Sequence, residues 1–383
     1  MSYLTEERLL IQQTAREFSM KEVLPVANEL DKLKGDIPMS LRDQMGELGY
    51  FGMRIPERYG GLALGVFEYI LVTEELARGW MSVASIIARG NGLGGGFSEE
   101  QRQKYLPRMA RGEFLGAVAL SEPEAGSDLA NVQCRARRDG DDWVITGNKM
   151  WCTFADGADY ITVLCRTEDQ DPQRRHAGTA MFFFEKERGA FPPGLQATNI
   201  NKIGYHGWRT WELRFDDFRV PLTAKLGGEE REGFKSAMGF LESARAHTAA
   251  RAIGLSRGAL EDATAYAKQR VQFRQPISNF QAIRFKLAEM AAEIEAARQL
   301  MYFVCDAIDT GRRCDKEAAM VKWFASEMAE RVTSQALQIH GGYGYTTDLP
   351  IERYWRDARL TKIFEGTSEI QLRIISDRLL NDR

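Results

Sequence analysis

Histidine and cysteine are scarce in this 383-residue chain, and neither falls in a pattern that holds a metal. The four histidines are scattered. The five cysteines, Cys134, Cys152, Cys165, Cys305 and Cys314, lack the paired spacing of a disulfide framework and the close pairs of a zinc site. Free thiols in a reducing compartment, and no metal, are the expectation. Long apolar runs are missing too. The densest, Ala180-Met-Phe-Phe-Phe184, has the length of a strand and not of a membrane span. Nor is there an excess of one charge: a formal net charge of -3 with the signs interspersed argues against a nucleic-acid or anionic-membrane surface. The opening Met1-Ser-Tyr-Leu-Thr-Glu-Glu-Arg8 lacks the basic and apolar regions of a signal peptide, so a cytoplasmic location is expected. Internal repeats and low-complexity segments are absent as well.

What is present is apolar material for two or three cores. Residues 1–112 read as helical, with Thr5 as an N-cap, Glu6 and Glu7 in the first turn, and Ile11, Ala15 and Phe18 at helical spacing. Pro56 to Gly61 forms a loop, a second helix runs through Tyr69, Val72 and Leu76, and a third ends in the glycine-rich run Gly90 to Gly96. That run is no phosphate-binding fingerprint, because no strand precedes it and no Lys-Ser/Thr follows. Residues 113–225 change texture to short apolar or alternating runs: Leu115–Leu120, Gln133–Arg138, Trp143–Thr146, Tyr160–Cys165, Thr179–Phe184 and Trp211–Val220. These are strands, and Asp139-Gly140 is a hairpin signal. Glu168 to Arg175 is a polar loop, and Gly227-Gly228 closes the β region. Across 226–383, helical patterns resume after Gly233. Ile283, Leu287, Met290, Ile294, Ala297 and Met301 make one buried stripe, and Val321, Phe324, Met328 and Val332 another. Long helices with short connections predict an up-down bundle, and the whole reads as α+β.

The chemistry is expected in Lys362-Ile-Phe-Glu-Gly-Thr-Ser-Glu-Ile-Gln371. Phe364 offers an apolar wall, Gly366 a bend that lets backbone approach a ligand, and Thr367 and Ser368 can cap a helix with Glu369 in its first turn. Glu365 projects just ahead of that helix. A glutamate against apolar walls loses hydration, so its pKa is expected to rise from about 4.3 toward neutrality, where it serves as a general base. Read locally, the same residue is also a solvated side chain in a loop that leads into a helix.

Gln338-Ile-His-Gly-Gly-Tyr-Gly-Tyr345, Arg353-Tyr-Trp-Arg-Asp-Ala-Arg359 and Phe364-Glu-Gly-Thr-Ser368 together resemble the C-terminal signature of the acyl-CoA dehydrogenase family. Leu120-Ser-Glu-Pro-Glu-Ala-Gly-Ser-Asp128 and Asn148-Lys-Met-Trp-Cys-Thr153 resemble its two flavin-loop motifs, and the likeness spans the chain in order. It implies the family's three domains with a C-terminal four-helix bundle, and FAD as hydride acceptor, since no side chain serves that role. Glu365 becomes the base for the α-proton, and its backbone N–H, with a ribityl hydroxyl, an oxyanion hole for the thioester oxygen. Leu120 and Ser121 would face the flavin ring, Ser127 the cofactor or the pantetheine, and Trp151 and Thr153 the other side of the ring. Trp151 alone also reads as a plain β-core aromatic. Arg270, Gln272 and Phe273 match the contact to the FAD diphosphate and adenosine, which would reach across a dimer interface to meet Gln338, Gly341 and Gly342 of a neighbouring subunit. Alternatively Arg270 is a helix-end charge and the glycines a helix stop. Thr367 and Glu369 would extend the cofactor site, and Phe364 and Gly366 border the acyl chain. Glu242 and Arg245 would hold the pantetheine, though three-residue spacing also allows an ordinary intrahelical ion pair. Ala244 stands where some relatives carry the catalytic acid, which leaves the base to Glu365.

Three residues depart from the family pattern. Arg274 replaces a glycine beside the diphosphate motif, and His206 replaces a usual arginine. Arg89 lies in a turn that floors the acyl pocket in the family, where its guanidinium fork would match a carboxylate on the acyl chain; next to Gly90 it also reads as a helix C-terminal charge. The expectation is an FAD-dependent α,β-dehydrogenase of acyl-CoA, a homotetramer passing electrons to an electron-transferring flavoprotein. The alternatives are the same frame acting on a dicarboxylyl, cyclic or aromatic acyl-CoA, decarboxylating or run as an enoyl reductase; a non-catalytic binding or assembly protein; and a flavin oxidase or monooxygenase.

Overall fold

A computed structural model describes residues 3–91, 96–227 and 241–381. Most of the glycine run at 90–96 therefore lies outside the described residues, as do Gly228 and Gly233, where the β region was expected to give way to helices. The chain opens with helices α1 (Glu6–Phe18), α2 (Leu24–Leu30), α3 (Met39–Glu47), α4 (Val66–Gly79), α5 (Met81–Ile86), α6 (Ala88–Asn91) and α7 (Glu99–Ala110). Thr5 caps α1 as expected, its side chain accepting from the Arg8 N–H at 3.2 Å. The sequence patterns did not single out α2, α3 or α7. In α7 the cause is plain: charged residues surround few apolar ones and Pro107 stands inside the helix, so the capping box of Ser98 and Gln101 is its clearest signal.

The middle region is a seven-stranded sheet of β1 (Gly116–Ala119), β2 (Arg135–Asp139), β3 (Asp142–Thr153), β4 (Tyr160–Arg166), β5 (Thr179–Glu185), β6 (Leu195–Asn199) and β7 (Thr210–Pro221). Its order is β1-β4-β2-β3-β7-β6, with β5 on β4. The predicted hairpin forms, with Asp139 opposite Asp142 and Gly140 at φ +62°. Strand β6, polar and mostly exposed, has no alternating pattern to betray it. Between Lys149 and Cys152 the β3–β7 register slips, and Trp151 sits in that bulge at φ +62°. A bulge re-aims a side chain, and the indole stands 58 % exposed instead of packing in the sheet core.

After residue 241 come α8 (Leu241–Gln269), the two short strands β8 (Val271–Gln272) and β9 (Gln275–Pro276), α9 (Gln281–Asp309), α10 (Asp315–His340), α11 (Ile351–Thr361) and α12 (Ser368–Asn381). Met290, Ile294, Ala297 and Met301 of α9 and Val321, Met328 and Val332 of α10 are buried, as their spacing predicts. Helix α8 is lined with alanine, which lets α4 come very close: a Cβ built on Gly254 would lie 2.2 Å from the Glu74 carbonyl oxygen. That contact is locked by charge. Glu74 and Glu75 of α4 have fully buried side chains, and Arg16 from α1, Arg257 from α8 and Arg298 from α9 converge on them. No described helix is long and apolar enough to cross a membrane.

Removing one member of such a pair leaves its partners buried and uncompensated. Glu75→Ala should therefore destabilise the fold by about 3 to 5 kcal/mol, seen as a lower midpoint in chemical denaturation. A midpoint at the wild-type value would show that Arg16 and Arg257 are satisfied elsewhere.

Candidate active site

The turn between α11 and α12 reverses the chain through two consecutive left-handed residues, Glu365 at φ 54° and Gly366 at φ 91°. Glycine suits that region, but glutamate pays about 1 to 2 kcal/mol for it, so the surroundings must impose the shape. They do so from two sides. Lys322 of α10, with a wholly buried side chain, donates to the Gly366 carbonyl at 2.6 Å, and Thr367 caps α12 through the Ile370 N–H at 3.4 Å. From α8, Thr248 Oγ1 donates to Glu365 Oε2 at 2.5 Å and Arg251 Nη2 donates to the same oxygen at 2.9 Å. The Glu365 side chain is 36 % exposed and that of Arg251 is 1 % exposed. Among the described residues, Oε1 and the Glu365 N–H take no hydrogen bond.

This corrects the expected pKa. Burial does push the Glu365 carboxyl up, but the Arg251 guanidinium, with His247 and the Thr248 hydroxyl, outweighs it and holds the group below the usual carboxylate range. The apolar wall exists: Phe364 packs edge-on to Tyr205, ring centroids 5.9 Å apart. What local sequence could not show is the arginine 114 residues away.

Around the carboxylate the structure gathers residues that the motifs did not name. His247 of α8 stacks on Tyr69 of α4 at 5.2 Å and its Nε2 lies 3.1 Å from the Ala84 carbonyl. Burial, then the charge of Arg251, pushes its pKa down to about 3. Tyr205 and Trp208 come from the loop between β6 and β7, 5.2 Å apart. Their neighbour Arg89 lies inside α6, its guanidinium 5.4 Å from the Trp208 ring. The Arg89 Nε is buried with no hydrogen-bond partner, and the guanidinium makes no ion pair among the described residues. Arg89 and Glu365 both lie near enough to Tyr69, Tyr205 and His247 to perturb their titration. A signal for this cluster was present: polar His247, Thr248 and Arg251 interrupt an otherwise alanine-rich helix face at steps of three and four.

The other predicted residues fall into separate places. The Leu120 carbonyl accepts from the buried Lys149 ammonium at 2.9 Å, which also meets Glu122 at 2.7 Å, and the Ser121 carbonyl accepts from Met150 N–H at 2.8 Å. These bonds fix the loop after β1 against the Trp151 bulge. Thr153 pairs with Thr210 at 3.1 Å, while Ser127 is exposed. Glu242 and Arg245 form no ion pair with each other; Arg245 is buried, which lowers its pKa. Arg270 and Gln272 line a cleft of about 530 Å³ with Gly341, Gly342, Tyr266, and Tyr343, the guanidinium lying over the Tyr343 ring at 5.7 Å. The expectation that Arg270 meets Gly341 and Gly342 across a dimer interface is therefore corrected: α8 and α10 end side by side in one chain and carry both. Gln338 is in the last turn of α10 beside it, Phe273 is 88 % exposed and Glu369 is exposed in the first turn of α12. None of the flavin-loop residues lines this cleft.

Three family models match the chain: acyl-CoA dehydrogenase N-terminal domain over residues 5–113, middle domain over 117–218 and C-terminal domain over 231–380. An acyl-CoA dehydrogenase of Bacillus subtilis (strain 168) is 41 % identical over 99 % of this chain and 99 % of its own length. The (2S)-methylsuccinyl-CoA dehydrogenase of Cereibacter sphaeroides is 41 % identical over 99 % of this chain and 71 % of its own. Among solved structures, a chain from work on the electron transferring flavoprotein of Acidaminococcus fermentans and flavin-based electron bifurcation superposes with a TM-score of 0.93 at 40 % identity, covering 100 % of both chains.

With four histidines in the chain, nitrogen-labelled histidine NMR can resolve each ring. His247 should stay neutral from pH 8 to pH 5, where an unperturbed imidazole titrates near about 6.5. All four rings titrating above pH 6 would contradict the buried stack on Tyr69.

Proposed function

Since the chain belongs to the acyl-CoA dehydrogenase family, we propose that Glu365 removes the α-proton of an acyl-CoA as the β-hydride leaves, giving the trans-2-enoyl thioester. The reaction class, oxidation of a CH–CH bond of an acyl-CoA, is that of the family. The observation that supports the residue assignment is the free Oε1 and free N–H on one left-handed residue. The carboxylate oxygen takes the proton, and the amide N–H can donate to the thioester oxygen as charge develops there. Tyr205 and Phe364 supply an apolar wall beside that position.

Flavin fits the residues present. The exposed indole of Trp151, held out by a bulge, offers a stacking face, and the Arg270 cleft with two glycines suits a diphosphate. FAD, when bound, supplies the hydride acceptor. The family resemblance implies a cofactor shared between two copies, with the flavin-loop residues and the cleft each holding part of it. Exposed Phe273, Tyr345 and Leu380 are consistent with a homotetramer built as a dimer of dimers. An electron-transferring flavoprotein is the proposed electron acceptor, in keeping with the structural relative from that system.

Arg89 favours an acyl chain that ends in a carboxylate. In the half-buried Arg89 the buried, unpaired Nε is costly unless a ligand pairs it, and an anion is the matching ligand. Methylsuccinyl-CoA, named for one relative, carries such a group.

Anaerobic titration with matched plain and ω-carboxyl acyl-CoAs tests both statements through bleaching of the flavin band. The carboxyl-tipped series should bleach it at lower concentration, and Arg89→Leu should erase that preference; unchanged selectivity would remove Arg89 from the reading. Glu365→Gln should keep flavin and bind acyl-CoA yet lose reduction by about 10³-fold or more, whereas near-normal reduction would mean another base. Arg270→Ala should release flavin and shift the oligomer toward smaller species together, and loss of neither on gel filtration would separate the cleft from the cofactor.

A further inference from the structure

The two oxygens of the Glu365 carboxylate are not equivalent. Oε2 carries both donors, Thr248 Oγ1 at 2.5 Å and Arg251 Nη2 at 2.9 Å, while Oε1 accepts nothing among the described residues. Arg251 is itself held at every nitrogen. Its Nη1 donates to Ser85 Oγ at 2.9 Å, its Nε to the His247 carbonyl at 3.3 Å and its Nη2 also to Thr248 Oγ1 at 2.9 Å, and the plane lies 4.6 Å from the Phe364 ring centre. A guanidinium so fixed cannot swing aside, and at 1 % exposure water cannot take its place.

We propose that Arg251 is a positioning residue for the reaction: with Thr248 it pins Oε2, which leaves Oε1 as the oxygen that receives the α-proton. The inference rests on Glu365 being the base. It assigns a division of labour that neither the motifs nor the exposed position of Glu365 provides. Holding one oxygen fixes the carboxylate plane, so the free oxygen needs no reorientation as the proton transfers. It also keeps the strained Glu365 backbone in place, because the side chain is tethered to α8 while Lys322 holds the next carbonyl from α10. The charge has a second effect. Proton transfer neutralises Glu365 and leaves Arg251 facing a carboxylic acid, so the base is a weak one, suited to an acidic α-proton, and its conjugate acid is a good donor for the reverse protonation.

Five titratable or charged groups face this carboxylate: Arg251 and His247 from α8, Lys322 from α10, Tyr69 from α4 and Tyr205 from the β6–β7 loop; Arg89 of α6 acts on the same Tyr69, Tyr205 and His247. Burial brings the Lys322 ammonium down to about 8 and holds both phenols up, and His247 is neutral, so below pH 7 Arg251 and Lys322 are the charged members of this group. Of the charged groups among the described residues, Arg251 alone hydrogen-bonds the carboxylate, beside the Thr248 hydroxyl.

The test follows protonation of Glu365 by infrared difference spectroscopy, wild type against Glu365→Gln, beside the pH profile of flavin reduction. In the wild type the acid band should appear only below the ordinary carboxylate value of about 4.3. Arg251→Gln should move the band, and the acid limb of reduction, up by about one pH unit or more. Thr248→Val should move both the same way by less. Arg251→Lys keeps the charge but not the fork; its band should stay near the wild-type pH while the reduction rate constant falls about tenfold and the acyl-CoA Kd is unchanged. If Arg251→Gln does not fold, the other two variants decide. A Thr248→Val band at the wild-type pH together with full-rate Arg251→Lys would overturn the proposal. Failure of the base assignment is distinguishable, since Glu365→Gln would then reduce flavin normally whatever the band does.

Discussion

A carboxylate buried without a counter-ion costs several kcal/mol, and Glu74 and Glu75 of α4 avoid that cost only because arginines from α1, α8 and α9 reach them. This knot ties four helices at one level of the molecule. It also brings α4 and α8 into contact along the alanine face, where nothing larger than glycine fits at residue 254.

The candidate site repeats that arrangement one turn or two up the same helix. Arg251, Gly254 and Arg257 follow at intervals of three on α8, so the arginine that answers Glu365 and the arginine that answers Glu75 project from one rigid rod. Helix α4 supplies Tyr69 to one region and Glu75 to the other. The geometry of the site is therefore inherited from a structural ion pair some two turns away, with the 29-residue α8 as the ruler.

Local order was legible wherever a residue's neighbours in sequence are its neighbours in space. The Thr5 cap, the Asp139-Gly140 hairpin and the α9 stripe are of this kind. So is the Glu365 turn, whose glycine and cap residues announce a sharp reversal into a helix. The charge state of Glu365 was not, because it is set by Arg251 across 114 positions. Trp151 shows the same limit in another form: the motif named it, but only the slipped β3–β7 register explains why its indole leaves the sheet. The pairing of Arg270 with Gly341 and Gly342 within one chain likewise depends on α8 and α10 ending together, which spacing cannot show.

Gly254 has a bearing on how inherited variation in such a chain is read. It lies away from any reacting atom and on a face where small residues abound, so an alanine there looks harmless in an alignment column. Its single methyl group would meet the Glu74 carbonyl oxygen at 2.2 Å and lever α4 off α8. Because Arg251 and Arg257 flank it on that helix, the displacement lifts both from their acids at once. Such an allele would spare every catalytic side chain in the sequence and still cost both fold and turnover, a lesion of alignment between two rods that no list of active-site residues would reveal.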